Sequence, residues 1–465
     1  MRRAAFHPEK SNRLKYNTRA GNWTRRRFLT VAFGAAAAPG IIPASALGRG
    51  SQLPPSERIT IGMFGVGNRG NSSLRAMRPL PDHQVVAIAD CRRARAQLAQ
   101  QQVNDFYAQR LGKQSFHGCE IHNEFEEVLA RDDIDVIWGC VPDHWHGVIY
   151  SRVIESGKDL YGEKPLTRWI ADGLHVRDAV RRYGCVFQTG TQQRSDPKFR
   201  HACELARNGY LGKVHTIHVG APGGRSYPAE TPCDPPSGFD YDRWTGPAPY
   251  IPFDKKRCEW LAMYMISHYC AGFITNWGVH HLDIAGWGCP EVFEKPFEIE
   301  GTGVLPSEGM TDTWISWQMQ LRWPSGLEMS YTNTGNPNKQ GCKFEGDEGW
   351  VHVNRGGISA EPESLLDVEL GADDTPLHAS PRHDNPYTAH TADLFRSIHT
   401  RQDPVSPIEA GHAASTLGNV ADITLRLGRK LKWDPAKDQF VGDDAANAML
   451  ARAARSPWTI YTGRG

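Results

Sequence analysis

Beyond its first 46 residues the chain has no run approaching the roughly 20 apolar residues of a membrane-spanning helix, so no later segment reads as a span. Its ten cysteines (Cys91, Cys119, Cys140, Cys185, Cys203, Cys233, Cys258, Cys270, Cys289, Cys342) form no C-x-x-C pair and no dense framework, and most read as plain buried thiols. A strong charge of either sign is missing too, the formal net charge being +1. That balance hides an asymmetry: residues 1–46 hold nine Lys and Arg against one acid, leaving 44 basic and 51 acidic residues in the body. A mildly acidic body is a poor electrostatic partner for nucleic acid or anionic lipid. With 465 residues, 40% hydrophobic and 23% charged, the chain is an ordinary globular one, long enough for two cores.

Thr24-Arg25-Arg26-Arg27-Phe28-Leu29 precedes the short apolar run Val31 to Ile42, which ends at Ala44-Ser45-Ala46. The segment resembles a twin-arginine export signal, and at twelve residues with Gly and Pro the run is too short for an anchor. The expectation is a signal peptide over 1–46 and a periplasmic or otherwise exported protein. Such substrates cross the membrane folded, which suits reduced, scattered thiols.

The body opens with β-branched, apolar Ile59 to Phe64, which runs straight into Gly65-Val66-Gly67-Asn68-Arg69-Gly70 and then a helical pattern. Strand, G-x-G-x-x-G and helix together describe a dinucleotide site. The first glycine permits the tight turn, the second lets backbone approach a pyrophosphate, and the third lets helix pack on strand. The helix N-terminus, with its unpaired N–H groups, then faces the phosphates. A second strand, Gln84 to Ala89, ends at Asp90, where an acid binds the adenosine ribose hydroxyls. Asp90 favours NAD, while Arg92 and Arg93 leave NADP open. A helix from about Arg92 to Arg110, another at Phe125 to Ala130 and the strand Asp135 to Val141 continue the doubly wound alternation.

Pro142-Asp143-His144-Trp145-His146 follows that strand, and Asp159-Leu160-Tyr161 leads into Gly162-Glu163-Lys164-Pro165. Here the chain resembles the Gfo/Idh/MocA oxidoreductases. The resemblance implies that Glu163 and Lys164 lie beside the nicotinamide with Pro142 and His146 near the cofactor, that Lys164 touches the substrate hydroxyl, and that the Lys164-Pro165 bond is cis. Lys164 also stands at a strand end on the ligand side of a doubly wound sheet.

Past Thr191, Gln192 and Arg194 are candidate substrate-lining residues at the start of a helix from Asp196 to Asn208. Pro222 to Pro252 carries eight prolines and the aromatic residues Tyr227, Phe239, Tyr241, Trp244 and Tyr250. So long a loop reads either as a lid over a carbohydrate (222–256, with Trp244 facing substrate) or as a segment packed against its own domain. From Tyr269, itself a candidate substrate-lining residue, the chain resembles the family's second signature, Asp, three residues, then His or Tyr. Aligned on Gly278, the His position is His280 and the Asp position holds Asn276, which orients and hydrogen-bonds but takes no proton. His280 is then the acid-base candidate and Lys164 the stabiliser of a developing alkoxide. His281 and Asp283 are secondary, and no metal is expected, since neighbours in sequence diverge in direction.

After residue 310 the period becomes two: Ile315, Trp317, Met319, Leu321 and Trp323 alternate with polar residues, and Leu327, Met329 and Tyr331 continue beyond Pro324-Ser325-Gly326. This predicts an antiparallel hairpin with one buried face. With Trp350 to Val353 it resembles the family's open sheet, whose outer face implies a homo-oligomer. A long helical tail is expected from His390 to Arg429. The predicted architecture is an α/β Rossmann domain with a doubly wound parallel sheet (57–190), an α+β domain with a large, mostly antiparallel open sheet (191–435), and a tail (436–465).

The expected activity is oxidation or reduction of a secondary hydroxyl on a sugar, glycoside or cyclitol. Nicotinamide cofactor is scarce outside the cytoplasm, so it must be recycled in place. Paired oxidation and reduction of two sugars satisfies that, as does oxidising a glycoside, eliminating its aglycone and reducing it back, the route of NAD-dependent glycosidases. A non-catalytic sugar-binding protein with structural NAD is the third reading.

Overall fold

A computed structural model describes residues 57–81, 83–335 and 338–460; the segment read as a signal peptide lies outside them. Six strands, β1 (Ile59–Phe64), β2 (His83–Ala89), β3 (Glu120–His122), β4 (Val136–Gly139), β5 (Asp159–Gly162) and β6 (Phe187–Thr189), form one sheet in the order β3-β2-β1-β4-β5-β6. Every pairing is parallel. Such a sheet is covered on both faces, so its strands are near-continuous apolar runs: Ile61, Met63, Val85, Ile88, Val136 and Ile137 are all buried. Two separate apolar clusters lie against it, one containing Phe64, Ile149 and Phe187, the other Ile61, Leu74 and Val103. The strand order reverses between β1 and β4, and there, at the carboxyl ends, a crevice opens for a ligand.

The second sheet has nine strands: β7 (Val214–Ala221), β8 (Phe297–Val304), β9 (Ser316–Arg322), β10 (Glu328–Asn333), β11 (Gly341–Gly346), β12 (Gly349–Asn354), β13 (Gly357–Glu361), β14 (Leu431–Asp434) and β15 (Gln439–Phe440). Their order is β13-β12-β11-β7-β10-β9-β8-β14-β15, antiparallel except for β7 with β10. The β9–β10 hairpin is the antiparallel one read from the alternation, and its register sets Met319 opposite Tyr331 and Leu321 opposite Met329. Those four side chains are buried in one core with Leu282 and Ile284 of helix Val279–Gly288 and Val420 of helix Ile408–Leu427. On the opposite face Arg322 pairs with Glu300 and Glu328.

One expectation about the chain's organisation is corrected, and two further segments gain a definite place. The tail from His390 to Arg429 is two helices, Pro386–Thr400 and Ile408–Leu427. Arg401, left-handed at φ 56°, ends the first, and Pro404 and Pro407 prevent continuation through the gap. The first of these helices places Leu394 and Phe395 in the core of the parallel sheet. Residues past 435 are integrated rather than peripheral: β15 joins the large sheet, and Trp458 and Ile460 pack on the Rossmann core. The loop 222–256 is no free lid. Tyr241, Trp244 and Phe253 bury one another with Cys258, Ile266 and Tyr269, and backbone bonds Arg93 N to Gly238 O (2.9 Å) and Asp240 N to Cys91 O (2.9 Å) strap the loop to the end of β2.

Candidate active site

The crevice at the strand ends is one cavity of about 590 Å³ that starts at the glycine turn and continues into the second domain. Gly65 has φ +79°, and a Cβ there would lie 2.5 Å from Cys140 O, while one on Gly70 would lie 2.3 Å from Gly65 O. Only glycine permits this turn and this helix approach. A Cβ on Gly67 would meet nothing closer than Arg95 at 3.4 Å, so that position faces open cavity. Gly67 caps the helix Asn68–Met77 without any side-chain bond to its first turn. This is a cradle for an anion. Asp90 lines the same end, its carboxylate accepting from Val66 N (2.9 Å) and Arg92 N (2.8 Å). Burial pushes its pKa up, and those two bonds oppose the shift. Arg92 lies over the Phe239 ring at 3.9 Å and donates to Cys258 O (3.4 Å). The glycine turn, the uncapped helix and Asp90 thus fit a dinucleotide. Asn68 lines this wall. Arg69 turns toward the floor, where its guanidinium bonds Glu163 and Tyr161 Oη (3.0 Å) and lies over Tyr387 at 4.7 Å.

At the other end the Lys164-Pro165 bond is cis, and Lys164 Nζ donates to Asn276 O (2.8 Å) and Asn276 Oδ1 (3.0 Å). Asn276 Nδ2 in turn donates to Asp143 Oδ2 (2.8 Å). The carboxylate missing from the Asp position of the second signature is therefore supplied from a different part of the chain, one residue after Pro142. Burial lowers the Lys164 pKa, and the charge of Asp143 is the largest influence raising it. His280 lies on the same wall. Its Nδ1 is buried with no hydrogen-bond partner among the described residues. Burial, then the charges of Arg355 and Lys164, hold its pKa well below the ordinary histidine value, so the ring is neutral at neutral pH.

Pro142, Glu163, Gln192 and Trp244 also line the cavity. Five predicted residues lie elsewhere. His146 is fully buried, with Nδ1 2.7 Å from Pro165 O and Nε2 3.0 Å from Val141 O, and so braces the two motifs from behind. Arg194 and Asp283 form a buried, multiply bonded ion pair (2.7–3.0 Å), which takes both out of the substrate wall. His281 is buried against Gln193 (3.3 Å), one helical step from His280 and facing the core. Tyr269 belongs to the aromatic cluster of the loop. Sequence reasoning missed Asp143, Trp277, Arg355 and Tyr387, all on the cavity wall. Only Asp143 left a signal, since an Asn in place of an acid asks where its carboxylate has gone.

Residues 59–191 match the family model of an oxidoreductase family, NAD-binding Rossmann fold, and residues 226–460 that of an oxidoreductase family, C-terminal alpha/beta domain. The chain is 21% identical over 367 residues to an inositol 2-dehydrogenase of Rhizobium meliloti, covering 78% of this chain and 92% of that one. It is 25% identical over 193 residues to an uncharacterized oxidoreductase, YrbE, of Bacillus subtilis; that match covers 41% of this chain and spans about half (49%) of the relative. The fold is shared with the crystal structure of an aldose-aldose oxidoreductase from Caulobacter crescentus complexed with glycerol (TM-score 0.59, 17% identity, 81% of this chain and 100% of that one).

Proposed function

The chain belongs to the Gfo/Idh/MocA family of oxidoreductases, and from that premise we propose that it oxidises and reduces a secondary hydroxyl of a sugar, glycoside or cyclitol with a tightly held NAD. The observation that carries this reading is the chain Lys164, Asn276, Asp143 set beside His280 in the cavity that begins at the glycine turn. NAD, when bound, supplies the acceptor for a hydride. Gly65, Gly67 and Asn68 hold its pyrophosphate and Asp90 the adenosine ribose. His280 Nε2 takes the proton of the substrate hydroxyl, and the neutral ring has a lone pair for it throughout the neutral range. A histidine of such low basicity is a weak acceptor by itself. Lys164 offsets this by donating to the same oxygen as negative charge develops, in a water-poor cavity where such a bond is strongest. Asn276 and Asp143 keep the ammonium aimed while the reaction runs.

The test incubates the purified protein, with its own cofactor, with a panel of glycosides, hexoses and cyclitols, and reads reduced nicotinamide and released sugar together. Stoichiometric reduction that stalls without an added acceptor supports the proposal. Sugar release without net reduction assigns the same residues to a redox-assisted glycoside cleavage, and no response in either signal refutes both. We further propose that residues 1–46 direct export, which N-terminal sequencing of the secreted protein tests: a start at Leu47 supports cleavage after Ala46, and an intact Met1 in a cytoplasmic protein refutes it.

A further inference from the structure

Arg355 is the one residue of the cavity wall contributed by the turn between β12 and β13. Asn354 Oδ1 fixes that turn by accepting from Gly356 N (2.7 Å) and Gly357 N (3.0 Å). The Arg355 side chain reaches back over the Trp277 ring, 4.8 Å from its centroid, and Nε donates to Gln193 Oε1 (3.1 Å). Gln192, with its amide oriented to donate to Gly190 O (2.9 Å), accepts from Arg355 Nη2 (3.1 Å) and Tyr387 Oη (3.1 Å). The guanidinium is thus held by an aromatic face and two amides, all of them neutral. Among the described residues Arg355 makes no ion pair, and the acid that acts on it through space, Glu163, is already bonded to Arg69. Two more cations face the same space. Lys164 rests on neutral Asn276, and Arg225, exposed on the wall just beyond β7, has no ion pair among the described residues.

Arg355 is itself exposed on that wall, and a guanidinium held at Nε and Nη2 and left without a counter-charge is prepared for an anion from outside, because part of its ordering precedes binding. Its planar fork matches a carboxylate in a two-bond geometry. We infer that the substrate is a sugar acid or uronide whose carboxylate is bound by Arg355, with Arg225 drawing it in at the mouth. This rests on the proposed action at a sugar hydroxyl and adds the class of sugar. It also bears on the basicity of His280. Burial is the largest cause of that low basicity and the charge of Arg355 the next, so a carboxylate against Arg355 offsets the second cause when the acidic substrate is in place.

The experiment titrates the NAD-loaded protein, by calorimetry, with matched pairs in the gluco, galacto and manno series: hexuronate and hexose, methyl hexuronide and methyl hexoside, and hexose 6-phosphate. Reduced nicotinamide is read in the same samples. Uronates binding about tenfold to a hundredfold more tightly than their neutral partners, the range of a charge-assisted bond, are expected. Arg355→Gln abolishes that preference, and Arg355→Lys, which keeps the charge and loses the fork, retains part of it. Equal binding of acid and neutral partners, absence of binding by every uronate, a preference for the phosphates, or an acid preference that survives R355Q each overturns the inference. Acid preference without reduction of nicotinamide removes the redox reading and leaves acid recognition standing; turnover without acid preference does the reverse.

Discussion

Replacing Asp143 by Asn changes almost no volume but removes the charge at the end of the chain that aims Lys164. In the native site Asn276 Nδ2 donates to a carboxylate at 2.8 Å while its Oδ1 faces Lys164 at 3.0 Å. The carboxylate forces this orientation of the amide, since a carboxylate only accepts. An Asn at 143 can still offer its oxygen to Asn276 Nδ2, and the ammonium, a donor only, still draws the Asn276 oxygen, but the acceptor at the end of the chain is no longer charged and no longer supports the ammonium. A hydrogen bond to a charged group is worth about 1.5–3 kcal/mol. At about 1.4 kcal/mol per tenfold, kcat is expected to fall roughly 10- to 150-fold if the bond matters mainly in the transition state. A second readout separates positioning from mere packing. Asp143 is the largest influence holding the Lys164 pKa up against burial, so D143N lowers that pKa further. Activity that needs the ammonium is present below this pKa and lost above it, so the alkaline limb of the rate profile must move to lower pH. Steady-state kinetics across the pH range, with thermal unfolding to verify the fold, measure both. A kcat within threefold of the parent and an unmoved alkaline limb would refute the relay.

Three other expectations follow from the same geometry. Because His280 is held well below the ordinary histidine pKa, kcat/KM should show no acid limb near pH 6.5 with a neutral sugar; the neutral ring is the active form, so any limb lies at lower pH, and one at 6.5 would show that the ring is not buried among cations in solution. Asp283→Ala strands the buried Arg194 guanidinium and should cost about 3–5 kcal/mol, read as a lower denaturant midpoint; normal stability with lost turnover would return Asp283 to the substrate wall. Gly70→Ala would put a Cβ 2.3 Å from Gly65 O and displace the phosphate turn, weakening NAD binding by roughly tenfold or more, about 1.4 kcal/mol, in a cofactor titration; unchanged affinity would count against the turn as the cofactor's cradle.

What was legible in the sequence was local or periodic. The glycine turn between β1 and its helix declares itself because only glycine meets the backbone demands of that approach, and the β9–β10 hairpin because a half-buried strand must alternate. The Lys164 motif was readable at a strand end for similar reasons. What was not legible depends on elements that meet only in three dimensions. Arg355 sits in a turn whose sequence, Asn354-Arg355-Gly356, is that of any exposed connection, and only sheet packing carries it to Trp277. The aromatic residues of 222–256 looked equally like a sugar platform or a small core, and the partners that decided for the core, Cys258, Ile266 and Tyr269, lie beyond the loop. Arg194 and Asp283 were both candidates for the substrate wall because nothing in their spacing of 89 positions announces that each is the other's partner.

The most direct test of the central claim follows the hydride itself. A substrate from the panel that is turned over, deuterated at the carbon bearing the reacting hydroxyl, is incubated with the native protein, and the nicotinamide is analysed by mass spectrometry. The account predicts deuterium on the recovered reduced cofactor, and its absence when Lys164 is replaced by Met. Product formed with no label reaching the cofactor would contradict it.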